Sequence, residues 1–385
     1  MSSVRRQLEL LQRTRPAAPA PISEPREEEG PFLLRSWEAD VAHAHGPWPL
    51  TSVRGFSRCW LERLGLPELD PERVIFLDTE TTGLSGGTGT YAFLIGLAWV
   101  EDGRLVVEQL LMREYKEEAA LLGYLKERLE GCGGLVTYNG KSFDLQLLQT
   151  RFIMKRLKVD LESIPHLDLL HPCRRIWGSS YADCRLETLE SELLGQPRSH
   201  DVPGWMIPRI YFNFLRSQNL SSLRRILEHN RRDLLALMGL VGALRGCLEQ
   251  PEQPREGLAD FGLGRWLEEL GLQKLGWQLM ERALSRSLPP VHRRSAALRV
   301  ARARRRAGDQ GGAANLWAEL LTEHPHDPAA GVELAKYLEH HRKDYQAALQ
   351  LVEGVLSRRD LPASLRRALQ ERQGRLLKRV SADCP

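Results

Sequence analysis

The sequence predicts an α/β domain built on a mixed sheet with flanking helices, followed by an all-α repeat domain. Three observations carry this. From Arg73 onward the segments run β-β-β-α-β-α-β-α, an antiparallel meander that continues into parallel βαβ units. After Gln250 the strand-like runs stop, and the chain becomes rich in Leu, Ala, Arg and Glu. That stretch also shows a 34-residue period, with Ala301 and Ala335, Ala313 and Ala347, Ala314 and Ala348, and Leu298 and Val332 in register. At about 150 residues per domain, 385 residues admit two or three domains.

The first strand is VIFLDTE, an apolar run that ends in acids. YAFLIGLAWV is the second, Glu101-Asp102-Gly103 is a tight turn, and RLVVEQLLM is the third. Residues 117–129 have helical spacing through Ala120, Leu121, Leu125 and Leu129. GLVTYNG is a fourth strand, residues 143–157 a second helix, and IPHLDLL a fifth strand. Helices over 186–194 and 221–248 complete a domain expected to span 71–248. Residues 1–70 read as an N-terminal extension: a short helix at 4–14, then a Pro- and Glu-rich stretch at 16–31 expected to be an extended, solvated linker. PEQPREG is a second linker, and the helical domain is expected over 260–380 as tetratricopeptide-type pairs, with a nonrepeating bundle as the alternative.

Composition narrows the function classes. Lys plus Arg is 54 and Asp plus Glu is 50, so any basic surface must be local. The apolar stretch at 92–100 falls far short of the ~20 residues of a membrane helix, and MSSVRRQLELLQRTR lacks a secretory signal's apolar core. Six cysteines form no CxxC pair, which argues against a disulfide framework or zinc ribbon. A reduced cytoplasmic protein with no membrane partner is the expectation.

The chemistry centres on Asp78 and Glu80. Positions i and i+2 of a strand share a face, so two carboxylates project together from an apolar strand. Left unpaired they would repel and resist burial, and a hard divalent cation resolves both problems. Asp144 sits where a βα loop delivers a side chain to the same sheet edge, although alone it reads as readily as a helix cap. His229 and Asp233 lie at i and i+4 of a helix, which by itself fits a surface pair.

Taken in order, DTETTGL, NGKSFD and HNRRD resemble the three exonuclease motifs of the DEDD superfamily, which has a ribonuclease H-like fold. The second motif follows that family's pattern of Asn, three residues, aromatic, Asp through Asn139, Phe143 and Asp144. More narrowly, LDTETTGLSGGTGTYAFLIG, TYNGKSFDLQLL and HNRRDLLAL resemble the YprB-like group, which also carries a C-terminal repeat region. The resemblance covers residues 73–244 well and the tail more loosely. It implies a 3′–5′ exonuclease that hydrolyses RNA or single-stranded DNA with two Mg²⁺ or Mn²⁺ ions. Asp78, Glu80, Asp144 and Asp233 would hold the ions and His229 would act as general base. Thr81, Thr82, Gly83 and Leu84, with Asn139 and Phe143, would meet the substrate.

There is one departure. The family's third motif is Tyr-x3-Asp or His-x4-Asp, whereas His229 to Asp233 is His-x3-Asp. One residue turns a helix by about 100°, so His229 should point differently, with Tyr211 and His200 as less well placed alternatives. The spacing also motivates a rival: a nucleic-acid- or protein-binding adaptor whose nuclease domain is weak or inactive. Several neighbouring features stay open. Gly86, Gly87 and Gly89 read as a ligand-approaching loop or as a plain turn, and no GK[ST] follows to make a P-loop. The segment 201–211, punctuated by Pro203, Gly204 and Pro208, reads as a rigid connector or as a loop holding nucleic acid. Asp168 is expected to be structural. Residues 291–306 hold seven arginines and no acid, which suits phosphate contact or a solvated helix face. A repeat scaffold there would also suit a protein partner.

Overall fold

Among the described residues, seven strands make one mixed sheet: β1 (Arg26–Glu29), β2 (Leu33–Asp40), β3 (Val74–Thr81), β4 (Ala92–Glu101), β5 (Arg104–Leu111), β6 (Gly134–Thr137) and β7 (His166–Asp168). Their order is β1-β2-β5-β4-β3-β6-β7. This computed structural model describes residues 25–40, 45–83, 87–199 and 201–382, so the helix expected at 4–14 lies outside the described residues. Helices α1 (Arg58–Arg63), α2 (Glu118–Leu129), α3 (Asp144–Met154), α4 (Leu170–Trp177), α5 (Leu186–Glu192), α6 (Ile207–Ser217) and α7 (Arg224–Glu249) flank the sheet. The chain divides into two compact units between Pro254 and Arg255.

β3, β4 and β5 form the antiparallel meander, turned at Asp102-Gly103, where both residues have positive φ (46° and 74°). β3 then pairs in parallel with β6, and β6 with β7. β3 therefore stands at the change from antiparallel to parallel, with β6 beside it. The sheet core is dry: Phe93, Leu94, Ile95 and Leu97 of β4 are fully buried, as are Leu121, Leu125 and Leu148 of the covering helices.

The sheet reaches further toward the N-terminus than residue 71. β2 pairs along its whole length with β5, from Leu33↔Leu111 to Asp40↔Arg104, and β1 adds an outer strand. Residues 26–31 are thus not all linker. Phe32, Leu33 and Trp37 bury their side chains and hold the hairpin down. All four residues of β1 are exposed, so its REEE sequence is an edge strand whose charge looks like a solvated tail. α6 also replaces an expected irregular segment. Pro208 sits in its first turn, where proline favours a helix start.

The second unit is helical throughout: α8 (Gly257–Glu269), α9 (Gln273–Leu284), α10 (Pro290–Arg306), α11 (Gln310–Glu323), α12 (Pro328–Tyr337), α13 (Tyr345–Leu356) and α14 (Ala363–Ala382). Buried Ala296, Ala297 and Ala301 of α10 correspond to buried Ala330, Gly331 and Ala335 of α12 at a spacing of 34. Buried Ala313, Ala314, Trp317 and Leu320 of α11 correspond to Ala348, Leu349, Val352 and Val355 of α13 at 35. The extra residue enters at a π-helical turn, Leu338–Arg342, between α12 and α13. Accordingly Asp309 and Asp344, 35 apart, both cap their helices by accepting a backbone N–H three residues on. The pairings Ala313/Ala347 and Ala314/Ala348 are therefore shifted by one.

The arginine run of α10 is largely neutralised within its own unit. Arg293 pairs with Glu323, Arg294 with Asp327, Arg299 with Glu268, Arg304 with Glu281 and Arg305 with Glu333. Five of the seven arginines thus bind acids of the surrounding helices or their caps, which leaves little of the run free for phosphate.

Candidate active site

Asp78 and Glu80 occupy the C-terminal half of β3, opposite Gly96 and Leu94 of β4, and a register shift follows Glu80. α7 lies against this part of the sheet. Its close approach depends on Gly96: a Cβ there would stand 2.3 Å from Asn230 Oδ1. Asn230, fully buried, donates to Asp78 Oδ2 at 2.8 Å and accepts from Gln109 Nε2 at 2.8 Å. α7 is thus keyed to the strand that carries the first two acids. One turn of helix then brings His229 and Asp233 to the same place, with His229 Nε2 3.3 Å from Asp233 Oδ2 and 3.7 Å from Glu80 Oε1. Glu80, His229 and Asp233 each offer a ligand atom within 4.8 Å of the others. The His-x3-Asp spacing does not turn His229 away from the acids.

Asp144 opens α3, which follows β6. It is not the helix cap; Thr79 of β3 donates its hydroxyl to Asp144 Oδ1 at 2.5 Å. Burial, reinforced by the charges of Asp233, Glu80 and Asp144, pushes the Asp78 carboxyl well above the usual carboxylate range. Burial lifts Glu80 to about 8; His229 opposes this, while Asp233, Asp144 and Asp201 add to it. Asp144 rises to about 6 through burial, with the Thr79 hydrogen bond working against it. Burial opposes the charged form of His229, but Asp233, the Asp201 hydrogen bond and Glu80 prevail and raise it to about 9. While no metal is bound, the acids around His229 favour a proton on its ring. An oxygen-rich donor set under such repulsion fits a hard divalent cation.

Several residues at the site carry no sequence signal of their own. Asp201 accepts from His229 Nδ1 at 2.8 Å, which fixes the ring and leaves Nε2 facing Glu80 and Asp233. Burial works against the Asp201 carboxylate, yet His229 and Arg198 hold its pKa well below the usual range. Arg198, buried in the same loop, donates to Asp201 Oδ2 at 3.0 Å and also to Asp233 Oδ1 and Glu190. Glu190 of α5 meets His45 at 2.7 Å. Only the neighbourhood of the HNRRD motif hinted at Asn230. Asp201 and Arg198 lie about 30 residues before their partners, in a segment without periodicity.

A cleft of about 560 Å³ opens beside the acids. Asp78, Glu80, Asp144, Thr81, Gly83, Asn139 and Phe143 line it, together with Gly204, Ile207 and Pro208. Phe143 is 55% exposed there. Thr81 donates to Gly83 O at 2.7 Å. Thr82 does not line the cleft; its hydroxyl accepts from Tyr91 N and closes the loop. Leu84 and His200 lie outside the described residues. Tyr211 is not at the acids: it stacks on Phe93 at 3.8 Å and donates to Met112 O. Asp168 accepts backbone N–H groups from Asn139, Lys141 and Leu170, so it fixes the β6–α3 turn, where Asn139 adopts φ 65°.

Comparison with known proteins places the domain that carries these residues. A family model described as RNase_H superfamily matches residues 75–245. Over 334 residues the chain is 31% identical to the uncharacterized protein YprB of Bacillus subtilis (strain 168), an alignment covering 84% of this chain and 80% of that protein. No helix among the described residues is long and apolar enough to cross a membrane. A ribonuclease H-like domain points to a nuclease acting on nucleic acid with divalent metal, and the chain belongs to the ribonuclease H superfamily, in one family with YprB.

Proposed function

We propose that the protein is a 3′–5′ exonuclease acting on RNA or single-stranded DNA by a two-metal mechanism. The observation that supports this most is the meeting of Asp78, Glu80, Asp144 and Asp233 with His229 beside the cleft. The four carboxylates would hold Mg²⁺ or Mn²⁺. Such ions, when bound, polarise the phosphodiester and lower the pKa of an attacking water. His229, tethered at Nδ1 by Asp201, would present Nε2 to take the proton of that water once bound cations offset the acids that otherwise keep a proton on the ring. Phe143 and Asn139 position the terminal nucleotide with Thr81 and Gly83, Phe143 by stacking on its base. The C-terminal unit is read as tetratricopeptide-type pairs that carry a protein partner; the matched caps at Asp309 and Asp344 support this.

Linear and circular single strands test the reading. Release of 5′-mononucleotides from linear strands, with circles left intact, is the expected result, and cleavage of circles would replace exonuclease by endonuclease. One observation favours the adaptor as a second reading: Arg198 engages an oxygen of Asp233. Calorimetric titration with Mn²⁺ separates the two. Binding at millimolar or tighter affinity supports the nuclease, and its absence supports the adaptor.

A further inference from the structure

α6 buries one face and exposes the other. Ile207, Tyr211 and Phe214 are buried, and Tyr211 is fixed by its stack on Phe93 and its bond to Met112 O. On the opposite side stand Trp205, Arg209, Phe212 and Arg216, all exposed. Arg209, Phe212 and Arg216 fall within about 60° around the helix at 100° per residue. Trp205 lies one turn ahead of Arg209, on the short 3₁₀ turn Gly204–Met206 that runs into α6. Trp205 is 67% exposed and Phe212 37%. Trp205 leaves most of its ring in water, and Phe212, whose ring lies 6.4 Å from that of Tyr211, keeps part of its face open to solvent. The stripe begins at the cleft, since Gly204, Ile207 and Pro208 are part of its wall.

We infer that this face of α6 is a track for an unpaired nucleic-acid strand leading to the cleft. Bases stack on Trp205 and Phe212, while Arg209 and Arg216 meet the phosphates between them. Alternating rings and guanidinium groups suit single strands, because every unpaired base has a free face for stacking and a duplex base does not. A protein surface would have no need of that alternation. The inference deepens the nuclease reading and rests on it: the substrate arrives single-stranded, held by stacking rather than by base identity.

The test is fluorescence anisotropy on the full-length protein in EDTA, which prevents hydrolysis. The probes are labelled oligo-uridylate and oligo-thymidylate dodecamers and a duplex dodecamer. Each lost stack should weaken binding about 5- to 150-fold. The pair Trp205→Ala with Phe212→Ala should therefore bind single strands at least about 25-fold more weakly than wild type. Arg209→Ala with Arg216→Ala should flatten the salt dependence by about 1.4 in log–log slope, from about 0.7 per phosphate contact. Thermal melting of each variant checks folding. Aromatic variants that bind single strands within twofold of wild type, or a wild-type preference for duplex, would overturn the track. Hydrolysis of bis(p-nitrophenyl) phosphate by wild type with Mn²⁺ tests the nuclease reading separately, so failure of one is distinguishable from failure of the other.

Discussion

Gly96→Ala is the sharpest probe of how α7 is keyed to the acid-bearing strand. The new Cβ would stand 2.3 Å from Asn230 Oδ1, 2.7 Å from Nδ2 and 2.8 Å from Cγ. Asn230 is fully buried and cannot swing into solvent. To accept the methyl group, Asn230 must retreat and release Asp78 and Gln109, or strand and helix must part. Two hydrogen bonds lost cost about 1–3 kcal/mol. Overpacking a close crossing costs about 1–3 kcal/mol as well. Either route predicts destabilisation of about 2 kcal/mol, although Gly→Ala in an unobstructed strand would stabilise by roughly 0.5–1 kcal/mol. The assay is thermal and urea unfolding, with a fall in Tm of about 4–8 °C expected for a unit of this size. The double variant completes the cycle. With Asn230→Ala in place the methyl group has room, and Gly96→Ala should cost under about 0.5 kcal/mol. An equal cost in both backgrounds, or none in wild type, would refute the keyed contact.

Other predictions concern charge. Arg151 is buried and donates to Glu118 Oε2 at 2.7 Å and to Thr88 O at 2.7 Å, so Arg151→Ala leaves a buried carboxylate with Lys155 as its one remaining ion-pair partner among the described residues. Urea unfolding should show a loss of about 3 kcal/mol, much of it recovered by an apolar pair at 118 and 151; an effect below about 1 kcal/mol contradicts the burial argument. Glu80 at about 8 and His229 at about 9 hold protons in the folded, metal-free protein that the unfolded chain has lost. Their contribution is full below the unfolded values, near 4.5 for Glu80 and 6.5 for His229, and is lost as pH rises through 8 to 9. Metal-free Tm should therefore fall between pH 6.5 and 9, and saturating Mn²⁺ should flatten that fall; a metal-free Tm that rises there contradicts it. Asp201→Ala should lower kcat about 10–100-fold with little change in KM, because it frees the His229 ring. Asp201→Asn, which still accepts from Nδ1, should recover part of the loss, and equal damage from both variants would reduce Asp201 to a folding role.

Much of this molecule is written locally in its sequence. The unbroken apolar run of β4, the near-alternating Val and Leu of β5, the Gly103 turn and the helically spaced leucines of α2 each declare their element within a few residues. The two acids of β3 share a face by strand geometry alone. What escaped detection depends on distant partners. β1 is four exposed charged residues whose strand character comes only from pairing with β2. α6 is announced by Pro208, which reads as a breaker until its place in the first turn is known. Asp201 acquires meaning from His229, and Arg198 from three carboxylates, across chain separations that no periodicity marks. The arginines of α10 look like a free basic patch until the acids facing them are known.

The most direct measurement is cleavage of 5′-labelled single-stranded RNA and DNA by the purified protein with Mn²⁺, beside Asp78→Ala of matched fold. The account predicts a ladder shortening from the 3′ end that disappears in the variant. Cleavage by Asp78→Ala at the wild-type rate, or none by wild type on either strand, would contradict it.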